Sequence, residues 1–149
     1  MTLYFAYGSN MSRAWMRQLC PTAQALGPAM LADHRFIVMS MGYASIVAHA
    51  GEAVHGVLWR IGPGDLDALD RYEDVAGGLY DRCMLAVWHG GAQRTALIYV
   101  GGSRAPGYAR PDYCALVLAA AQEWGLPAPY VAGLARQLSP RGGTAGEVG

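Results

Sequence analysis

The chain has 149 residues, 53% hydrophobic and 15% charged, so it is long and apolar enough to bury one core and too short for two full domains. Its charges cancel, 11 basic against 11 acidic; every basic residue is Arg, and they are scattered from Arg13 to Arg141, which argues against a phosphate-tracking nucleic-acid surface. No stretch approaches the roughly 20 apolar residues that a membrane-spanning helix needs.

The opening, Thr2 to Tyr7, is short, aromatic and apolar and reads as a buried strand that stops at Gly8-Ser9-Asn10. It lacks the basic and long apolar regions of a secretory signal. Ser12 then caps a short helix bearing Trp15, Met16 and Leu19, closed by Pro21. Four β-like runs follow: Gln24–Met30, Arg35–Met39, Ala44–Ala48 and Val54–Ile61, broken at Gly27-Pro28, Gly42 and Gly51. Pro63-Gly64-Asp65 starts a helix with Asp65 as N-cap and Leu66 and Leu69 on its apolar face, ending near Asp74. Two strands, Tyr80–His89 and Arg94–Val100, are joined by a Gly90-Gly91 hairpin turn. A Gly/Pro-rich loop, Gly101 to Pro111, leads to helices at Asp112–Trp124 and Ala128–Leu138. The Gly-rich stretch 139–149 reads as a disordered tail behind a domain of residues 1–138. Strands early and helices late predict an α+β fold without a regular βαβ repeat.

Cys20, Cys83 and Cys114 are odd in number and far apart, the pattern of reduced thiols in a cytoplasmic protein. Neither they nor His34, His49, His55 and His89 have metal-ligand spacing, so no metal is expected. The chain has no Lys and therefore no phosphate-loop motif, and Gly8-Ser9-Asn10 does not meet the nucleophile-elbow pattern.

Three features could carry chemistry. A Gly directly after a strand lets backbone N–H groups of Gly8-Ser9-Asn10 face a cavity as an anion-binding nest, with Ser9 and Asn10 adding side-chain donors; the plainer alternative is an ordinary turn. Of four Glu residues (Glu52, Glu73, Glu123, Glu147), Glu73 alone combines a helix end with apolar and aromatic neighbours, where a carboxylate can gain a raised pKa and serve as general base or acid. The alternative is a solvated acid at a helix end. Nine Tyr against two Phe suggests an apolar wall with polar tips, drawn from Tyr80, Tyr99, Tyr108, Tyr113 and Tyr130, although most such residues are structural.

Together these segments resemble the γ-glutamylcyclotransferase family, over nearly the whole chain to about Leu138. Tyr4-Phe5-Ala6-Tyr7-Gly8-Ser9-Asn10 is similar to its N-terminal strand and Tyr-Gly-Ser-Asn signature. Gly42-Tyr43-Ala44-Ser45-Ile46 and Val54-His55-Gly56-Val57-Leu58-Trp59 resemble its G-x-A-[ST]-I and V-x-G-V-[VL]-W strands. Leu69 to Glu73, followed by Gly78-Leu79-Tyr80, resembles the segment bearing the family's catalytic glutamate. Tyr99 and Tyr113 fall where it has pocket tyrosines, and Gly125-Leu126-Pro127 with Tyr130 and Leu134 resembles the C-terminal helices of its γ-glutamyl-amino-acid branch. The opening does not resemble the glutathione-specific branch, whose Tyr-Gly-Ser is followed by Leu. Asp74 stands where members commonly have Gly, and its charge is expected to raise the pKa of Glu73 further or to alter the turn.

The resemblance implies a small mixed, strongly curved or barrel-like β-sheet flanked by a few helices. It implies cofactor-independent cyclisation of a small-molecule γ-glutamyl substrate, releasing 5-oxoproline and a free amino acid or amine. Glu73 would be the general acid/base, and Tyr7, Gly8, Ser9, Asn10, Tyr80, Tyr99 and Tyr113 would bind substrate. The expected form is a cytoplasmic monomer or homodimer, without nucleic-acid or membrane partners. The alternatives are the same chemistry on γ-glutamylamines or on a γ-glutamyl-protected natural-product intermediate, a non-catalytic binding domain for small anionic ligands, and a scaffold domain without a ligand.

Overall fold

In a computed structural model, which describes residues 2–138, five strands close into a barrel in the order β1-β3-β2-β4-β5. The strands are β1 (Thr2–Ala6), β2 (Gln24–Val38), β3 (Ala44–Ile61), β4 (Tyr80–His89) and β5 (Ala92–Gly101). The helices are α1 (Arg13–Leu19), α2 (Pro63–Tyr72), α3 (Pro111–Glu123) and α4 (Ala128–Leu138), and a 3₁₀ turn, Ser9–Met11, follows β1. The α+β class and the barrel-like sheet expected from the sequence are both present. The tail expected at 139–149 lies outside the described residues. Among the described residues no helix is long and apolar enough to cross a membrane.

The four runs expected between Gln24 and Ile61 are in fact two long strands. Gly27-Pro28 and Gly51 do not break them: the β2–β3 ladder shifts register between Ala25 and Gly27 and again between Ala32 and His34. Gly27, Asp33 and Gly51 all have positive φ there, and Asp33 Oδ1 accepts the Gly51 N–H at 3.0 Å. Such residues usually signal turns, but here they make bulges that bend a continuous ribbon enough to close a barrel. Only Gly42, in the turn between β2 and β3, ends a run as expected. The β4–β5 hairpin turns at Gly90-Gly91 as predicted, both with positive φ.

Asp65 is not the N-cap of α2. Gly62 occupies that position, and Asp65 sits one turn inside, accepting the Gly62 N–H at 3.0 Å and the Thr22 hydroxyl at 2.5 Å. The carboxylate thus satisfies the helix start from within. Ser12 caps α1 as expected, accepting the Trp15 N–H at 3.2 Å.

Phe5, Val54, Leu58 and Ile98 are wholly buried in the core, and Val117, Ala121, Leu134 and Leu138 bring α3 and α4 onto it. Trp124 Nε1 donates to the Met11 carbonyl at 2.7 Å, tying the end of α3 to the turn after β1. The tightest backbone approach is at Gly56, where a Cβ would stand 2.2 Å from the Ala6 carbonyl oxygen and 2.9 Å from Phe5 Cζ. Neither strand can retreat without breaking the ladder. Gly56→Ala is therefore expected to destabilise by about 3 kcal/mol or more, the upper end for overpacking, as read from urea unfolding. A loss under about 1 kcal/mol would show that β1 and β3 are not so closely apposed.

Candidate active site

One rim of the barrel gathers the residues of interest because β1 and β5 run parallel, paired at Tyr4 and Leu97. Their C-terminal ends therefore emerge together, and Tyr7 Oη donates to the Tyr99 carbonyl at 2.6 Å. β4 starts on the same rim, with Tyr80 paired to Gly101, and the end of α2 leads into it. These ends enclose a pocket whose empty space, mouth included, is about 650 Å³.

All the predicted site residues line it: Tyr7, Gly8, Ser9 and Asn10 from the first segment, Glu73 from the end of α2, and Tyr80, Tyr99 and Tyr113 from the wall. Tyr4, Tyr43 and Tyr72 line it too, and sequence reasoning had not assigned them to the site. Each nevertheless lies inside a segment already singled out: Tyr4 in the opening strand, Tyr43 in the stretch Gly42 to Ile46, and Tyr72 beside Glu73. Two other candidates are elsewhere. Tyr108 is exposed and does not line the pocket, whereas Tyr130 packs at a tilt of 59° against His55 with ring centroids 4.8 Å apart.

Glu73 caps α2, its N–H bonded to the Leu69 carbonyl at 2.8 Å, and the helix stops because Asp74 adopts a φ of 52°. Asp74 Oδ1 accepts the Gly77 N–H at 3.2 Å, so its role lies in the turn. It does not raise the pKa of Glu73. Burial does, pushing the carboxyl up to about 7, because the aromatic pocket solvates the anion poorly.

The last turn of α2 is fixed from the other side by Asp70, which accepts the Tyr99 hydroxyl at 2.7 Å and Arg82 Nε at 3.0 Å. The Arg82 guanidinium, followed by the Tyr99 hydroxyl, holds the Asp70 carboxyl below the usual carboxylate range. Two acids one turn apart on the same helix are thus driven in opposite directions. Asp70 is paired with a cation and stays ionised, whereas Glu73 has none and titrates near neutrality.

Asn10 is the polar partner of Glu73. An indole nitrogen can only donate, so the 2.9 Å bond from Trp15 Nε1 identifies the acceptor as the amide oxygen of Asn10. Its NH₂ group then faces the Tyr4 hydroxyl at 2.9 Å and Glu73 Oε2 at 3.3 Å. Ser9 Oγ lies 3.1 Å from the Tyr72 hydroxyl. In the 3₁₀ turn the Met11 and Ser12 N–H groups bond back to Gly8 and Ser9, while the N–H groups that start the turn have no partner within it.

The need for glycine at position 8 is spatial. Its φ of −121° is outside the left-handed region, but a Cβ there would stand 3.0 Å from the Tyr113 hydroxyl. That hydroxyl also accepts the Ala44 N–H at 3.3 Å, and Tyr80 donates to the Ala44 carbonyl. Burial raises the pKa of Tyr80, Tyr99 and Tyr113, keeping them neutral hydrogen-bonding groups. Among the described residues no Arg or His lines the pocket, and Glu73 is its one acid. Among the described residues no group of three or more His, Cys, Asp or Glu could hold a metal ion.

Residues 4–124 match the family described as γ-glutamyl cyclotransferase, AIG2-like. The chain is similar to human γ-glutamylcyclotransferase, at 29% identity over 139 residues, covering 86% of this chain and 74% of the relative. The bovine γ-glutamylcyclotransferase matches with the same identity and coverage. A solved structure described as γ-glutamyl cyclotransferase superposes with a TM-score of 0.84 at 28% identity, covering 89% of this chain and 85% of that one. A yeast γ-glutamyl cyclotransferase specific to glutathione shares the fold, with a TM-score of 0.61 at 13% identity over 92% of this chain and 95% of that one.

Proposed function

The chain belongs to the γ-glutamyl cyclotransferase, AIG2-like family, and from that premise we propose that it is an enzyme that cyclises γ-glutamyl compounds, with Glu73 moving the protons. The α-amine of the γ-glutamyl group attacks its own γ-carbonyl carbon. A tetrahedral intermediate forms, the bond to the leaving nitrogen breaks, and 5-oxoproline and a free amine or amino acid depart. Because nucleophile and electrophile belong to one molecule, holding it in the folded conformation supplies a large share of the rate.

Three tasks remain for the protein. Glu73 takes a proton from the α-ammonium and returns one to the leaving nitrogen, which suits a carboxyl titrating at about 7. The N–H groups of Ser9 and Asn10 at the start of the 3₁₀ turn, with the Ser9 hydroxyl, hold the substrate carboxylate or the developing oxyanion. One oxyanion donor can be worth ~3–4 kcal/mol. Tyr7, Tyr80, Tyr99 and Tyr113 wall off water, their rings held in place by the bonds of their hydroxyls to the Tyr99 carbonyl, the Ala44 carbonyl, Asp70 and the Ala44 N–H. No step calls for a cofactor, so turnover is expected to survive exhaustive EDTA treatment; loss of activity with rescue by zinc would overturn that reading.

The observation that most supports this proposal is Glu73 itself, a half-buried acid in the pocket, poised near neutrality and bonded to the side-chain amide of Asn10 in the turn after β1. Its test is 5-oxoproline release from γ-glutamyl compounds, followed against pH. A general base must be ionised, so kcat/KM should rise with pH on an acid limb centred near 7 and level off above it. A profile flat from about pH 5 to 8 would remove Glu73 as the base.

A further inference from the structure

The pocket has a deep part and a mouth, and they differ in kind. Tyr7, Tyr80 and Tyr99 are at most 6% exposed, whereas Tyr43 and Tyr72 are 43% and 39% exposed. If the glutamyl portion lies between Glu73 and the turn at Gly8-Ser9-Asn10, the leaving portion points outward past these two rings. We propose that Tyr43 and Tyr72 form a leaving-group subsite, which makes the enzyme prefer γ-glutamyl compounds whose released amine is apolar and carries no carboxylate, aromatic amines foremost. The proposal rests on the cyclisation reading above and narrows its substrate class.

Both rings are held in place before anything binds. Tyr72 lies against the Trp15 indole with ring centroids 5.4 Å apart, and its hydroxyl meets Ser9 Oγ at 3.1 Å. Tyr43 meets Tyr113 edge-on at 5.7 Å and sits in a turn closed by Met39 N–H to its carbonyl at 2.8 Å. Ring surface fixed in this way can be covered by a ligand with little further ordering cost. An aromatic leaving group can gain both area burial and edge-to-face contact.

Charge points the same way. Among the described residues no Arg or His lines the pocket, and burial sets the protonation of Glu73. The carboxylate of a released amino acid would therefore gain no ionic partner among the described residues, and it would be repelled by the ionised form of Glu73.

The test compares kcat/KM for γ-glutamyl derivatives of 2-phenylethylamine, phenylalanine, methylamine and glutamate. The phenylethylamide should exceed both the phenylalanine derivative and the methylamide by about tenfold or more, with the glutamate derivative slowest. In Tyr43→Ala the phenylethylamide-to-methylamide ratio should fall at least about fivefold, chiefly through KM, whereas Tyr43→Phe should keep it. A ratio unmoved in Tyr43→Ala, or a wild type that handles the two amino-acid derivatives as well as the phenylethylamide, overturns the subsite. Absence of 5-oxoproline from all four compounds overturns the cyclisation reading and the subsite with it. Turnover with a flat or reversed ranking overturns the subsite alone.

Discussion

Glu73→Gln should lower 5-oxoproline turnover by ~10²–10⁴-fold, the usual range for losing a positioned general base. The amide keeps the shape of the side chain, and its oxygen can still accept from Asn10, so folding should survive. Stability supplies a second, independent readout. The Glu73 carboxyl titrates at about 7 in the folded protein, above its ordinary value of 4.5, so between these values the folded state binds more protons than the unfolded state. Its contribution to stability is therefore fully present below about pH 4.5 and is lost as pH rises through about 7. Glutamine does not titrate. Relative to wild type, Glu73→Gln should melt at a higher temperature at pH 8 than the comparison at pH 5 would suggest. A variant with near-normal turnover would remove Glu73 from the chemistry. A Tm difference independent of pH would show that the carboxyl is not buried as described.

That titration shows where sequence reading ends. A helix end beside aromatic residues marked Glu73 as a candidate, but its neighbour Asp74 was as plausible a cause of a shifted pKa as burial was. Only the folded pocket separates the two, since it partly buries Glu73 and leaves Asp74 exposed, bonded to Gly77. Local chemistry was readable wherever the answer was local. The paired glycines at 90 and 91 could serve only a tight hairpin, and Ser12 before an amphipathic turn could serve only as a cap. Asp65, Gly27 and Gly51 misled for one common reason. Each carries a turn or cap signal whose use depends on a distant partner: Thr22 beside Asp65, and the opposing strand beside each glycine. The tyrosines divide in the same way. Tyr99 and Tyr113 face the pocket and Tyr108 and Tyr130 do not, and nothing within a few residues of any of them distinguishes the pairs. For Tyr99 the parallel pairing of β1 with β5 makes the difference, joining segments more than 90 residues apart, and for Tyr113 it is the bond from the distant Ala44 N–H.

Gly8→Val should reduce affinity for 5-oxoproline or a γ-glutamyl compound by about tenfold or more while costing about 1–3 kcal/mol of stability, the usual cost of overpacking. Even a single Cβ at this position would stand 3.0 Å from the Tyr113 hydroxyl and 3.6 Å from Ala44 Cβ, and valine adds two further carbons. The neighbour best able to give way is the tyrosine. Its displacement would break the bond from the Ala44 N–H and disturb the wall that faces Glu73 across the pocket. Damage should therefore concentrate in binding. If the turn merely connects β1 to α1, the variant would lose stability and keep its affinity. A smaller pair of changes separates the steric cause from any other. Gly8→Ala alone should weaken binding, and adding Tyr113→Phe, which removes the oxygen at 3.0 Å, should restore part of the stability lost. Additive losses in that double variant would mean that the two residues do not meet. A folded Gly8→Val protein with wild-type affinity would take the turn out of the site, leaving Glu73 opposite a wall of tyrosines with no backbone donors to hold the substrate anion.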